Sequence, residues 1–121
     1  MYPPATVINA TRYMDMRPAG IAVCTSPADA ATCVTWARET GVPFAVRSGG
    51  HSYAGFSNSD GLVIDVKGMR TVTVDRETDS VVVAGGASNA EVAAALTPHD
   101  VSFPTGRCPT VGLSGLTLGG G

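Results

Sequence analysis

The spacing of apolar positions changes several times along the chain, and each change marks an element. Residues 1–20 carry proline and glycine with little periodicity and read as an irregular lead-in. Residues 21–25 are β-rich and predict a short strand. Ser26, Pro27 and Asp29 then supply a capping hydroxyl, a proline at the first helical position and an acid in the first turn, so a helix is expected from Pro27. Ala30, Cys33, Val34 and Ala37 recur at helical spacing as a buried stripe, and Gly41 stands where a left-handed cap would end the helix near Thr40. A buried-type strand over 44–47 is followed by a polar, glycine-rich loop over 48–61. Val, Ile and Thr then crowd into 62–66, 71–74 and 80–84, with a polar turn at 75–79, which predicts a small meander with hairpin character. Ser88-Asn89-Ala90-Glu91 is a capping box that opens a second helix through Leu96, stopped by Pro98.

The resulting order, β-α-β, a β meander, then α, is α+β rather than doubly wound, because strands follow one another in the middle without helices between them. No repeat occurs at a period of about 20 to 50 residues, so a solenoid is not expected.

Composition narrows the function classes. The chain has 121 residues, 44% of them hydrophobic, which suits one domain with a packed core. The formal net charge is -2 with no run of Lys or Arg, so there is no electrostatic footprint for nucleic acid or an anionic membrane. No apolar stretch nears the roughly 18 residues that span a bilayer, and residues 1–11 lack the basic and apolar segments of a signal peptide. Cytoplasmic is the default compartment, with secretion of a full-length protein left open.

Three cysteines without a C-x-x-C spacing indicate neither a disulfide framework nor a zinc site. Cys24, on a strand, and Cys33, on a helix stripe, read as core, whereas Cys108 lies in a glycine loop and is a candidate for chemistry. The 15 glycines concentrate in 49–61, 85–86 and 106–121, a clustering that suggests backbone brought close to a ligand. The last residues, Gly119-Gly120-Gly121, form a run costly to order and followed by no element, so a truncated chain is expected.

Two segments carry the candidate chemistry. In Arg47-Ser48-Gly49-Gly50-His51-Ser52-Tyr53, adjacent glycines after a strand let consecutive N–H groups converge on one point, as a phosphate or pyrophosphate requires. An ordinary turn is the competing reading. Neither a P-loop nor a Rossmann glycine motif is present at this strand. In Gly106-Arg107-Cys108-Pro109-Thr110-Val111-Gly112-Leu113-Ser114-Gly115, running on to Gly119, glycines stand where a side chain would hold a planar ligand away. The other histidine, His99, follows a helix stop beside Asp100 and reads as a solvated turn.

Taken in order, Arg47 to His51, Asp60 to Asp65, Gly85-Gly86-Ala87 and Gly106 to Gly121 resemble the FAD-binding segment of berberine bridge enzyme-like oxidases, over roughly residue 17 onward. The resemblance implies a PCMH-type FAD-binding domain of the vanillyl-alcohol-oxidase fold: its N-terminal α+β subdomain and the start of the second. It places a lead-in at 1–16, the incomplete FAD domain at 17–121 and the substrate domain outside the chain. It implies FAD held by backbone donors at Ser48, Gly49 and Gly50 and lined by Gly106, Val111, Gly112, Gly115 and Gly119. His51 matches the histidine joined to the flavin 8α carbon, and Cys108 the cysteine joined to C6 in bicovalent members.

For function, the resemblance implies an oxygen-dependent oxidase of a carbohydrate or secondary metabolite, with hydride transfer to FAD and O2 reduced to H2O2. The catalytic base would come from beyond Gly121, so the chain by itself would be inactive and would expose apolar faces. A non-catalytic FAD- or nucleotide-binding fragment, and an FAD reductase with non-covalent flavin, are the alternatives. Oligomeric state has no visible determinant.

Overall fold

The computed structural model describes residues 11–13 and 15–121. Most of the expected lead-in therefore lies outside the described residues; what is described of it is a 3-10 turn at Thr11–Tyr13 and the approach to the first strand. The elements are β1 Gly20–Val23, α1 Pro27–Thr40, β2 Phe44–Arg47, β3 Leu62–Asp65, β4 Val72–Asp75, β5 Ser80–Val83, α2 Asn89–Leu96 and α3 Leu113–Leu118.

The first unit is a parallel sheet in the order β1-β3-β2. Helix α1 crosses from β1 to β2, and β3 then inserts between them, pairing Leu62 with both Gly20 and Phe44. Val63 and Ile64, with 0% of their surface exposed, show why: a strand covered on both faces has no polar face to alternate. The meander expected from 62 to 84 is thus corrected. Its first strand belongs to the parallel sheet, and only β4 and β5 form an antiparallel hairpin.

Asp75 shapes the hairpin turn by accepting from the amides of Glu77 and Thr78, and Asp79 completes it at φ 49°. The chain passes from one sheet to the other between Val66 and Thr71, where the Gly86 amide donates to Met69 O at 2.8 Å.

Two small cores result. Cys24, Ile64 and Val66 pack with Ala22, Ala30, Cys33, Leu62 and Met69 beneath α1. Ala87, Val92, Leu96 and Leu113 pack against Val72, Val74, Val81 and Val83 of the hairpin. Cys24 is core as expected; burial first, then its neighbour Cys33, pushes its thiol pKa up to about 11, so it stays protonated. The stripe on α1 is narrower than expected, since Ala37 is buried but Val34 is exposed.

Both capping boxes form. Ser26 Oγ accepts from Asp29 N and Ser88 Oγ from Glu91 N, while the two carboxylates accept from the cap amides. The Thr25 amide first, with Ser26, holds the Asp29 carboxyl below its usual range, and the Ser88 amide first, with the Ser88 hydroxyl, does the same for Glu91. A group whose folded pKa is depressed stabilises the fold above its unfolded pKa and loses that contribution as pH falls through the folded value. Thermal melts from neutral pH down through the carboxylate range should therefore show an acid-side loss that shrinks in Glu91→Gln, with the neutral-pH Tm slightly lowered.

Candidate functional site

In parallel sheets the carboxyl ends of the strands are where ligands sit, and here the end of β2 runs directly into the residue 48–53 turn. Gly50 has φ 75°, a left-handed conformation that turns the chain sharply after Gly49. Among the described residues, none accepts a hydrogen bond from the amides of Ser48, Gly49, Gly50 or His51. The Ser48 hydroxyl is buried and likewise without a partner. A buried hydroxyl so placed is costly unless something outside the chain pairs with it.

The second glycine segment lies on this turn backbone to backbone. A Cβ on Gly49 would fall on the amide nitrogen of Gly112 and within 2.8 Å of Thr110 O, and one on Gly112 would meet the Ser48 hydroxyl and come within 2.6 Å of Gly49 N. Glycine at both positions is what lets two segments about 60 residues apart in the chain touch. Their approach brings His51 Nε2 to 3.0 Å from Thr110 Oγ1, with Cys108 Sγ 4.0 Å from the same oxygen. The two residues singled out for chemistry thus flank one hydroxyl, and Cys108 is exposed.

The other candidates separate by role. Arg47 turns onto its own loop, donating through Nε to Ser57 O at 3.0 Å, which shapes residues 48–61. Ser52 Oγ accepts from Phe56 N, and Tyr53 is 75% exposed. Gly106 packs against Asn89 and Leu116, and Val111 O accepts from Asn89 N. Gly115 and Gly119 lie in and just after α3, a helix where a glycine-rich loop was expected. At Gly115 an added Cβ would meet open space. His99 ends an exposed 3-10 turn, away from these contacts.

Asn89 and Thr110 were not singled out from the sequence. Asn89, 3% exposed, donates from Nδ2 to the carbonyls of Gly106 (3.2 Å) and Cys108 (3.0 Å). The Ala90 amide adds a bond to Pro109 O. The first turn of α2 thereby clamps the cysteine segment. The available signal was an asparagine directly after a helix cap, which says nothing of its distant partners. Asn89→Ala should cost about 1–3 kcal/mol, because two carbonyls lose their donor. Chemical denaturation would measure the loss, and faster alkylation of Cys108 would report the freed segment.

A family profile described as the FAD binding domain matches residues 18–121. An FAD-linked oxidoreductase of Bacillus subtilis is 40% identical over 115 residues, covering 94% of this chain and 25% of that protein. Berberine bridge enzyme-like 18 of Arabidopsis thaliana is 36% identical over 110 residues, covering 87% of this chain and 21% of the relative. Among solved structures, glucooligosaccharide oxidase from Acremonium strictum, described with a 6-S-cysteinyl, 8α-N1-histidyl FAD, superposes with a TM-score of 0.82 at 32% identity. That match covers 93% of this chain and 24% of the other. The chain spans between a fifth and a quarter of the length of these relatives. Among the described residues, no helix is long and apolar enough to cross a membrane. With its α+β architecture, its parallel sheet feeding the residue 48–53 turn and its match over residues 18–121, the chain belongs to the FAD binding domain family, with the PCMH-type fold of berberine bridge enzyme-like FAD-linked oxidoreductases.

Proposed function

We propose that this chain is the FAD-holding part of an oxygen-dependent oxidoreductase that oxidises a carbohydrate or a secondary metabolite, with FAD attached through His51 and Cys108. The observation that carries the reading is the convergence of His51 and Cys108 on the Thr110 hydroxyl, beside a turn whose amides have no acceptor among the described residues.

The residues fit the cofactor. Amides of Ser48, Gly49, Gly50 and His51 are donors for diphosphate oxygens, and the unpartnered Ser48 hydroxyl adds another. Gly106, Val111, Gly112, Gly115 and Gly119 would line the cofactor, with Arg47 and Ser52 holding the loop that carries His51 and the exposed Tyr53 available to cover it. A histidine and an exposed cysteine on adjoining segments are the two nucleophiles a doubly linked flavin needs. Bound there, the flavin supplies the hydride acceptor and the route of the electron pair to O2, giving hydrogen peroxide.

What this chain contributes is orientation: both attachment points ride on segments held by the α2 cap and by the end of the parallel sheet, so the ring they hold has little freedom to rotate. The glucooligosaccharide oxidase among its structural relatives supports carbohydrates as the first substrate class to test. The protein carrying this chain, supplied with an oligosaccharide panel, is expected to consume O2 and release an equal amount of hydrogen peroxide on at least one substrate. Flavin reduction by every active substrate without peroxide release would replace the oxidase by a dehydrogenase. Purification with no flavin at all would favour the non-catalytic fragment, and FAD that dissociates freely would favour the non-covalent reductase.

A further inference from the structure

Thr110 Oγ1 lies 3.0 Å from His51 Nε2 and 4.0 Å from Cys108 Sγ. Its position is dictated by the fold. The Val111 amide donates to Cys108 O, Asn89 and Ala90 hold the carbonyls of Cys108 and Pro109, and Gly112 lies directly on Gly49. A hydroxyl offers one proton and two lone pairs, and a neutral imidazole carries its proton on one nitrogen. Three arrangements satisfy both contacts, and in the third Oγ1 accepts from both Nε2–H and the Cys108 thiol.

In one, Thr110 donates to Nε2, the ring proton sits on Nδ1, and the Cys108 thiol donates to Oγ1. In the second, Nε2–H donates to Oγ1 and the hydroxyl donates to Sγ. The first arrangement leaves neither ring nitrogen free, since Nε2 is engaged and Nδ1 carries the proton. The second and third leave the Nδ1 lone pair free for attachment, and the second alone also turns the hydroxyl proton toward Sγ.

We propose that Thr110 is a positioning residue: its hydroxyl holds His51 in the Nε2–H tautomer with Nδ1 as the nucleophile, and supports the Cys108 sulfur through its own proton. The inference rests on the covalent reading above. For the histidine link, a bond forms between Nδ1 and the flavin 8α carbon while one C–H bond of that methyl group breaks. The methyl proton, the Nε2 proton and the electron pair end on O2 as hydrogen peroxide, so the step balances with O2 as oxidant. Until that proton leaves, Thr110 Oγ1 accepts the Nε2–H hydrogen bond and so keeps the proton off Nδ1.

The test separates tautomer from attachment. In flavin-free protein labelled with 15N-histidine, neutral His51 is expected as a single Nε2–H form. Thr110→Val should show the mixed tautomers of a solvated imidazole, and Thr110→Ser should restore the single form. Thr110 is exposed, so neither substitution is expected to disturb the fold, which a thermal melt would verify. On addition of FAD, acid-stable flavin should accumulate roughly ten- to a hundredfold more slowly in Thr110→Val, and at near the wild-type rate in Thr110→Ser. An Nδ1–H tautomer in the wild type, or the same tautomer mixture in wild type and Thr110→Val, would overturn the proposal. A wild type that takes up no acid-stable flavin yet shows the Thr110-dependent Nε2–H form would retire the covalent reading and leave the tautomer assignment standing.

Discussion

Acid precipitation of the protein carrying this chain is expected to leave flavin on the wild type and on both His51→Ala and Cys108→Ala, and to release it completely from the double variant. If FAD is attached at both residues as proposed, each single substitution leaves one covalent link, so only the double reduces retention to hydrogen bonds, which acid and unfolding abolish. Intact mass and visible absorbance of the redissolved protein read the outcome directly. The two links are expected to differ in consequence. His51 follows the strand-end turn whose amides have no acceptor among the described residues, whereas Cys108 is held through carbonyl bonds from Asn89. Loss of Cys108 should therefore leave flavin binding nearer to wild type than loss of His51. Release of all flavin from the wild type would overturn covalent attachment and move the non-covalent reductase ahead.

The second large effect is expected at Gly49. A side chain there collides with backbone atoms of Thr110, Val111 and Gly112 rather than with a movable side-chain tip. Overpacking of this kind costs about 1–3 kcal/mol or more, a large share of a marginal stability of roughly 5–15 kcal/mol. Gly49→Ala should lower Tm by several degrees and, by parting the two segments, break the His51–Thr110 hydrogen bond. Both FAD uptake and covalent attachment should fail with it.

Gly115→Ala is the informative contrast. An added Cβ there meets nothing within 4 Å, and alanine favours the helical state by roughly 0.8–1.0 kcal/mol over glycine. The fold should hold or gain slightly. If Gly115→Ala keeps its Tm but loses affinity for FAD, the glycine lines the cofactor. Unchanged affinity would remove it from the site.

Much of this was legible in the chain itself, for reasons that are local. Ser26 with Asp29, and Ser88 with Glu91, hydrogen-bond to backbone within four residues, so both helix starts follow from short-range chemistry. The hairpin turn is set by Asp75 and its next three residues. The family was legible because four glycine-containing blocks kept their order and spacing.

What tertiary structure decided was everything that joins distant segments. β3 reads as a strand from its residues, but its place between β1 and β2 depends on which faces are covered, and its apolar run fits a hairpin edge or a sheet centre equally well. Helix α3 was hidden among glycines, whose low helix propensity is overridden once Leu113 packs into the α2 core and Ser114 Oγ donates to Gly85 O. Val34 had the right spacing for a buried stripe, yet it lies at the rim of the covered face of α1 and stays 39% exposed. The meeting of His51, Thr110 and Cys108 rests on Gly49 and Gly112 lying face to face, and a contact between residues so far apart leaves no periodicity for a sequence to show.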